Sequence, residues 1–327
     1  MHKRILITGV AGFIGSHLLA EALRRGFTVI GIDNFLTGKM SNIEAAIAES
    51  GADPNHFELR RQDIRNLDDM IEAAKGCDFI FHEAAIGSVP WSIDDPLLAH
   101  GTNLTGFLNI LEAARRNQVQ RVVYASSSAV FGDATAIPAI EGNEGNSLSP
   151  YAASKRSQEI YAQAYARCYA MQIVGLRYFN VFGPRQDPNG AYAAVIPKWG
   201  SLMAQGKSCV IYGDGSATRD YCHISNIVRA NFLAAEASFP SSASIALNIG
   251  CGAQTSLVAL HDMMRTAFKN HRHIEVPQPQ FVSPRAGDIE HSAADIQLAQ
   301  KQIGFEPTVS VQNGLDNLIL SGEFDII

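Results

Sequence analysis

Strand-length segments, most of them continuously apolar, alternate along the chain with longer stretches in which apolar residues recur every three or four positions. The strand-like segments span 3–8, 28–32, 57–61, 78–82, 121–125 and 172–178, and helical spacing follows at 16–25, 67–75, 97–117 and 151–169. A short apolar run is typical of a parallel strand that is buried on both faces. The alternation therefore predicts an α/β fold, with a Rossmann-like doubly wound parallel sheet.

The first predicted turn, between the strand of 3–8 and the helix that follows, is rich in glycine. Gly9, Gly12 and Gly15 have the spacing G-x-x-G-x-x-G. Glycines at a strand-to-helix turn let the backbone approach a pyrophosphate, whose charge then lies at the helix N-terminus. The second strand ends in Asp33, 18 residues after Gly15, where a carboxylate accepts hydrogen bonds from an adenosine ribose. A 2′-phosphate would be repelled there, so the pattern favours NAD over NADP.

Composition and charge narrow the class of protein. The chain has 327 residues, and 26 Lys and Arg against 32 Asp and Glu give a net charge of −6 without a basic run. Nucleic acid and anionic membrane surfaces are therefore poor partners. Five scattered cysteines form no C-x-x-C pair, so we predict neither a disulfide framework nor a metal site. Without a signal peptide or a long apolar segment, we expect a soluble, cytoplasmic protein.

A tyrosine and a lysine four residues apart follow Pro150. Proline is tolerated at the first helical position, and the spacing of Tyr151 and Lys155 places both side chains on one helix face. A free phenol has a pKa of about 10, so it is a poor base at neutral pH unless a positive charge stabilises the phenolate. Lys155 could supply that charge. Taken alone, the pair is more typical of a surface tyrosine and lysine on a helix.

Ser126-Ser127-Ser128 ends the strand of 121–125, at the sheet edge where open α/β folds bind ligands. Together with the glycine turn, Asp33, Tyr151 and Lys155, this segment resembles the extended short-chain dehydrogenase/reductases, which include nucleotide-sugar epimerases and dehydratases. The resemblance implies that Ser127, Tyr151 and Lys155 are catalytic. The sugar 4,6-dehydratases carry an Asp-Glu pair where this chain has Ser128 and Ala129, so the resemblance argues against a dehydratase.

The resemblance also implies a set of cofactor contacts and a two-domain organisation. One of the expected cofactor contacts, Asp63, could equally, from the residues alone, cap the helix that follows it. The expected domains are an NAD-binding domain of residues 1–180, to which 220–252 return, and a smaller α/β UDP-sugar-binding domain of 181–219 and 253–327. The expected NAD contacts are Gly9, Gly12, Phe13, Ile14, Gly15, Asp33, Asn34, Asp63, Ile64, Ala84, Ala85, Asn103, Ser126, Tyr151, Lys155 and Tyr178.

In the second half of the chain, two arginines match the diphosphate-binding positions of the resembling enzymes. Arg219 precedes Asp220, and Arg285 lies three residues before Asp288, so either arginine could instead form a surface ion pair. A guanidinium matches a phosphate with two-point geometry. The expected substrate contacts are Ser88, Ser127, Ser128, Tyr151, Asn180, Ala194, Val195, Tyr212, Arg219, Arg285, Asp288 and Ser292.

Ser292 determines the predicted substrate. In the resembling 4-epimerases, a tyrosine at this position restricts the enzyme to plain glucose and galactose, and a serine leaves room for an N-acetyl group. Alternatively, Ser292 caps a helix that begins at Ala293. Trp91 stands where the resemblance implies a basic residue, so it departs from the pattern.

The resemblance predicts an NAD-dependent C4 epimerase that interconverts UDP-N-acetylglucosamine and UDP-N-acetylgalactosamine through a 4-keto sugar. The alternatives are a UDP-glucose or UDP-uronate 4-epimerase, a sugar-nucleotide dehydrogenase or reductase, and a cofactor-bound protein without activity. The complete Ser127, Tyr151 and Lys155 set argues against the last of these. The helices of 97–117 and 151–169 are expected to form the four-helix bundle of a homodimer.

Overall fold

The computed structural model describes residues 3–188, 194–240, 242–284 and 290–324. Its strands are β1 (Arg4–Thr8), β2 (Thr28–Asp33), β3 (Phe57–Arg61), β4 (Phe79–His82), β5 (Arg121–Ser127), β6 (Ile173–Tyr178), β7 (Val181–Phe182), β8 (Val210–Tyr212), β9 (Thr218–Arg219), β10 (Cys222–His223), β11 (Ser244–Ile249), β12 (Thr255–Ser256) and β13 (Gln280–Val282). Its α-helices are α1 (Phe13–Arg24), α2 (Met40–Ser50), α3 (Leu67–Ala73), α4 (Val89–Asp94), α5 (Pro96–His100), α6 (Gly106–Arg116), α7 (Pro150–Tyr169), α8 (Val195–Ala204), α9 (Ile224–Glu236), α10 (Leu257–Arg272), α11 (Gln297–Ile303) and α12 (Val311–Leu320).

Seven strands form one parallel sheet in the order β11-β6-β5-β4-β1-β2-β3. Side chains alternate between its faces, so Ile5 and Ile7 pack with α1 and α9, whereas Leu6 packs with α3, α6 and α7. Both faces are therefore covered by helices. The predicted α/β class with a doubly wound parallel sheet is confirmed.

A smaller α/β unit has its own core beside the main sheet. Trp199 of α8, Ile211 of β8, Phe268 of α10 and Leu318 of α12 are all buried in it. The predicted smaller domain is thus present. Within the segment 220–252, α9 packs on the main sheet and β11 pairs with β6. The domain boundaries themselves stay a prediction.

Several helix boundaries differ from the predicted ones. Helix α1 begins at Phe13 rather than Ser16, because Gly12 has extended backbone angles at the N-cap and Gly15 fits inside the first turn. The predicted helix of 97–117 is interrupted by one wide helical turn at Gly101–Thr105. Helix α2 was not predicted at all, because its apolar stripe is thin and only Ile43 and Ala46 are buried.

Two alternative capping roles are wrong. Helix α3 is capped by Asn66, whose side chain accepts hydrogen bonds from the backbone N–H groups of Asp68 and Asp69, so Asp63 does not cap it. Helix α11 begins only at Gln297, so Ser292 does not cap it either. Across the described ranges, no helix is long and apolar enough to cross a membrane, and no group of His, Cys, Asp and Glu side chains could hold a metal ion.

Candidate active site

The backbone of the glycine turn between β1 and α1 is tightly packed, with close contacts at Gly9 and Gly15. Gly9 has a φ of +69°, and its N–H donates to the carbonyl of Ile32 at 2.8 Å. A Cβ at Gly15 would lie 2.7 Å from the carbonyl carbon of Gly9 and closer still to its oxygen. A Cβ at Gly9 would lie 2.8 Å from the backbone nitrogen of Ala84. Only glycine fits at these two positions, and the turn leaves a cavity of about 300 Å³ beside it.

Asp33 lies at one end of this first cavity. Its side chain is only 8% exposed, and its two oxygens accept hydrogen bonds from the N–H groups of Ala11 at 2.9 Å and Phe35 at 2.8 Å. Burial raises the pKa of Asp33, and these two hydrogen bonds act in the opposite direction. The carboxyl group is therefore held rigidly by backbone at the end of β2, where a ribose would be bound.

Most of the expected cofactor contacts line the first cavity. They are Gly9, Gly12, Phe13, Ile14, Gly15, Asp33, Asn34, Ile64, Ala84 and Ala85. Asp63 lies outside that lining and instead accepts hydrogen bonds from the Arg65 guanidinium, at 2.9 and 2.7 Å, and from Asn34 at 3.1 Å. The Arg65 hydrogen bonds lower the pKa of Asp63 to about 2, despite the opposing effect of burial.

Asn103 and Ser126 have polar partners within the protein. Asn103 is fully buried, exchanges two hydrogen bonds with the backbone of Ile86, and donates to the hydroxyl of Ser154 at 3.0 Å. The hydroxyl of Ser126 donates to Glu159 at 2.7 Å. Both side chains therefore brace the walls of the site, and their predicted cofactor contacts stay predictions.

Helix α7 brings the catalytic candidates together. Ser149 caps the helix and Pro150 occupies its first turn, which places Tyr151, Lys155 and Glu159 on one face. The Lys155 ammonium is buried, donates to the carbonyl of Ala125 at 2.6 Å, and lies 5.9 Å from the centroid of the Tyr151 ring. Burial lowers the pKa of Lys155 to about 8, while the charges of Glu83 and Glu159 act to raise it.

Ser127, at the end of β5, hydrogen-bonds the Tyr151 phenol. Its oxygen also accepts from the N–H of Ala129 at 3.1 Å, which leaves its single proton available for the phenol oxygen. Burial raises the pKa of Tyr151, the Ser127 hydrogen bond lowers it, and the charge of Glu83 raises it further. The predicted triad is therefore assembled, with a serine donor and a lysine cation beside one phenol.

A buried ion network, which was not predicted from the sequence, supports this arrangement. Glu159 forms a two-point ion pair with Arg177 at 2.8 Å, and Arg177 also contacts Glu144 at 2.5 Å. Ser126 donates to the same Glu159. The network ties α7 to β5 and β6, so it fixes Tyr151 and Lys155 relative to Ser127.

A second cavity, of about 560 Å³, adjoins the first. Gly87 lines both. Its volume falls within the range that holds a small organic ligand. Of the expected substrate contacts, Ser88, Asn180, Ala194, Val195, Tyr212 and Arg219 line it. Ser127, Ser128, Tyr151 and Ser292 are described residues outside that lining, and Arg285 and Asp288 lie outside the described residues.

Arg219 and Asp220 do not pair with each other as the alternative interpretation had it. The Asp220 side chain is fully buried and accepts from the backbone N–H groups of Cys251, Gly252 and Ala294. Arg219 points the other way and donates to the carbonyls of Thr218 and Glu290 at the wall of the second cavity.

These features define the class of protein. A strand, a glycine turn, a helix and a buried carboxylate frame the first cavity. A serine, a tyrosine and a lysine cluster at the end of β5, close to Glu83 in the wall of that cavity. The crowded backbone at Gly9 and Gly15 and the polar groups of the lining fit a dinucleotide. The site is that of a short-chain dehydrogenase/reductase.

Comparison with known proteins narrows the class to a family. Residues 5–250 match the NAD dependent epimerase/dehydratase family. A UDP-glucose 4-epimerase of Mycolicibacterium smegmatis is 35% identical over 315 residues, which is 95% of this chain and 96% of the relative. The chain belongs to the NAD dependent epimerase/dehydratase family, and the predictions of its family and of NAD as its cofactor are confirmed.

Two solved structures share the fold over almost their whole length. A UDP-N-acetylglucosamine 4-epimerase from Methanobrevibacter ruminantium M1, in complex with UDP-N-acetylmuramic acid, superimposes with a TM-score of 0.88 at 35% identity, covering 97% of each chain. A UDP-glucuronic acid 4-epimerase from Bacillus cereus, in complex with UDP-glucuronic acid and NAD, superimposes with a TM-score of 0.83 at 29% identity, covering 97% of this chain and 98% of that one. The three relatives carry the names of three different substrates.

Proposed function

We propose that the protein is an NAD-dependent UDP-sugar 4-epimerase whose better substrates are UDP-N-acetylglucosamine and UDP-N-acetylgalactosamine. The observation that carries the proposal is the Ser127, Tyr151 and Lys155 cluster, which lies close to Glu83 in the wall of the first of two adjoining cavities. One cavity fits a dinucleotide, and the other has the size and the cationic side chain that a sugar nucleotide requires.

In the proposed mechanism, Tyr151 takes the proton of the sugar C4 hydroxyl while the sugar loses hydride from C4. NAD, which the glycine turn and Asp33 would hold at the first cavity, would supply the acceptor for that hydride and the source of its return. Lys155 stabilises the phenolate by its charge, and Ser127 donates a hydrogen bond to the reacting oxygen. The 4-keto sugar turns over in the cavity, and Tyr151 returns the proton as hydride comes back on the opposite face. No net oxidation results.

The second cavity supports a sugar nucleotide as substrate. Arg219 offers a guanidinium at the cavity wall, and Asn180 lies beside it with its amide bonded to the carbonyl of Asp220 at 3.3 Å. A planar guanidinium suits a diphosphate. In the proposal, Arg285 and Asp288 add further contacts.

The preference for acetylated sugars depends on Ser292. Its N–H donates to the carbonyl of Thr218 at 3.1 Å, so the backbone places it beside Arg219, and its side chain is half-buried. A serine there occupies much less volume than an aromatic ring. Ser88, Ala194 and Val195, which also resemble the corresponding residues of epimerases for N-acetylated sugars, line the second cavity, as does Arg219.

The test of the function is incubation of the purified protein with UDP-N-acetylglucosamine, UDP-glucose and UDP-glucuronic acid separately, with inversion at C4 read by NMR. We expect inversion of the acetylated sugar to be fastest. Fastest turnover of UDP-glucuronic acid would instead support the uronate alternative. Accumulation of NADH with an oxidised sugar, without inversion, would show a dehydrogenase and contradict the proposal.

Filling the space at Ser292 should reverse the preference. For Ser292→Tyr, we expect kcat/KM for UDP-N-acetylglucosamine to fall at least about tenfold while that for UDP-glucose changes little, because the ring clashes only with the acetyl group. The matched control is Ser292→Ala, which keeps the space open and should retain the wild-type ratio. An unchanged ratio in Ser292→Tyr would show that this residue does not select the substrate.

We also propose a homodimer in which the helical segment 97–117 and helix α7 of each chain form a four-helix bundle. These helical segments carry exposed apolar side chains, namely Leu97 (82%), Ile160 (58%) and Tyr161 (41%). Exposed apolar clusters mark association surfaces. Sedimentation equilibrium should give twice the chain mass, and Ile160→Asp should shift the protein toward monomer. A wild-type monomer at micromolar concentration would contradict this assignment.

A further inference from the structure

Glu83 is a second carboxyl group in the wall of the dinucleotide cavity. It follows β4, its N–H donates to the carbonyl of Thr8, and its side chain lines the cavity. Both oxygens of Asp33, the other carboxyl group of the described lining, accept backbone hydrogen bonds. In Glu83 one oxygen, Oε2, is buried without a hydrogen-bond partner. A buried and unpartnered carboxyl oxygen that lines a ligand cavity requires an explanation.

The other oxygen of Glu83 ends a chain of hydrogen bonds that runs behind the cavity. Asn231 of α9 donates from Nδ2 to the phenol oxygen of Tyr178 at 2.8 Å, and the Tyr178 hydroxyl donates to Glu83 Oε1 at 2.9 Å. Asn231 Nδ2 can only donate, and its second proton goes to the carbonyl of Ile227 at 3.0 Å. The Tyr178 oxygen therefore accepts from Asn231, and its own proton is donated to Glu83. The chain therefore ends on Glu83 as an acceptor, which favours its ionised form.

Among the described residues, the titratable groups around Glu83 are Lys155, Tyr151, Tyr178 and His82. Burial raises the pKa of Glu83 to about 8, against the opposing effects of the Tyr178 hydrogen bond and the Lys155 charge. Burial also raises the pKa values of Tyr151 and Tyr178, so both phenols are neutral without ligands. His82, the preceding residue, is neutral because burial lowers its pKa to about 3. Lys155 is therefore the cation that acts on Glu83.

Sheet order places Glu83 toward the reacting end of the cavity. Strand β4 lies between β1, which leads into the glycine turn, and β5, which ends at Ser127, whereas Asp33 ends β2 on the far side. Because Tyr151 must act on the sugar, the redox-active ring of the dinucleotide has to reach that same end. Glu83 is thus the carboxyl group of the described lining on the side of the reacting ring.

We propose that Glu83 sets the redox balance of the bound dinucleotide, by favouring its oxidised and more positive form over its reduced form. Hydride addition lowers the charge of the nicotinamide ring by one, so a nearby carboxylate loses an attraction when the ring is reduced. In a poorly solvated cavity such an attraction is much stronger than in water. This inference deepens the proposed function, since a dinucleotide biased toward oxidation returns its hydride to the 4-keto sugar instead of remaining reduced.

The test compares the wild type with Glu83→Gln, whose amide oxygen still accepts from Tyr178 but carries no charge. Each purified protein is equilibrated with an equimolar mixture of NAD⁺ and NADH until the bound ratio is constant, and the bound forms are then quantified after gel filtration. At pH 9 we expect the bound NAD⁺:NADH ratio of the wild type to exceed that of Glu83→Gln about tenfold. At pH 6 the two ratios should converge, because Glu83 is then largely protonated.

A second variant separates the charge of Glu83 from its hydrogen bond. Tyr178→Phe keeps the carboxyl group but removes the donor that lowers its pKa, so the wild-type preference for NAD⁺ should appear only at a more alkaline pH. Equal ratios for Glu83→Gln and the wild type at pH 9, or a difference that does not depend on pH, would overturn the proposal. The experiment contains no sugar nucleotide, so its result does not depend on whether the proposed epimerase activity is confirmed.

Discussion

Tyr151→Phe is expected to lower kcat for UDP-sugar epimerisation by about a thousandfold, with a change in KM of less than about threefold. The variant loses only the hydroxyl that receives the Ser127 hydrogen bond. In the proposed mechanism this oxygen takes and returns a proton, so its interaction with the sugar matters in the transition state far more than in the bound complex. Initial rates at varied UDP-sugar concentration give both constants.

Tyr165→Phe is the matched control for that experiment. It makes the same chemical change on the same helix, but Tyr165 packs against Tyr169 rather than against the site. We expect its kcat to stay within about twofold of the wild type. Turnover of Tyr151→Phe near the wild-type rate would remove Tyr151 as the base and leave Lys155 or a water molecule to be considered.

The second large effect is expected at Gly15. In Gly15→Ala the new methyl group would overlap the backbone of Gly9, and neither partner is a flexible side-chain end that could move away. The turn must open, so we expect the free energy of unfolding to fall by about 3 kcal/mol, and NAD affinity to fall at least about a hundredfold. Chemical denaturation and calorimetric titration with NAD measure the two quantities.

Gly101→Ala is the matched control for the turn. Its Cβ would meet only the Cδ atom of Arg65, at 3.7 Å, and its backbone angles are helical. The substitution should therefore leave NAD affinity unchanged, and the gain in helix propensity should make it neutral or slightly stabilising. If Gly15→Ala behaved like Gly101→Ala, the crowding at the glycine turn would not limit cofactor binding.

The parts of the site that the sequence predicted correctly depend on short spacings. The turn from Gly9 to Gly15 and the pair of Tyr151 and Lys155 each lie within one local element, so chain distance fixes their geometry. Ser127 could be placed because a resembling family supplied the alignment. The capping role considered for Asp63 was wrong because Asn66 lies directly before α3 and caps it. The capping role considered for Ser292 was wrong because α11 begins at Gln297, later than the composition of the segment indicates.

The parts that could not be predicted connect residues far apart in the chain. Glu83 and Tyr178 are separated by 95 residues, and Arg121 reaches carbonyls of α9 more than 110 residues away. Such partners become neighbours only through the order of strands in the sheet. Buried charges such as Glu159 and Arg177 also look like ordinary surface residues in a sequence, because their burial depends on the pairing itself.

Gly87, which lines both cavities, has no atom within 4 Å of where a Cβ would stand. Because glycine has no side chain that could separate the two cavities here, molecules bound in them would be in direct contact. In the proposed enzyme, a sugar nucleotide bound in the second cavity would then block the release of the dinucleotide from the first. Exchange of radiolabelled NAD should therefore slow as the sugar nucleotide approaches saturation. Both half-reactions would take place in the same closed space, and little of the keto sugar would dissociate between them.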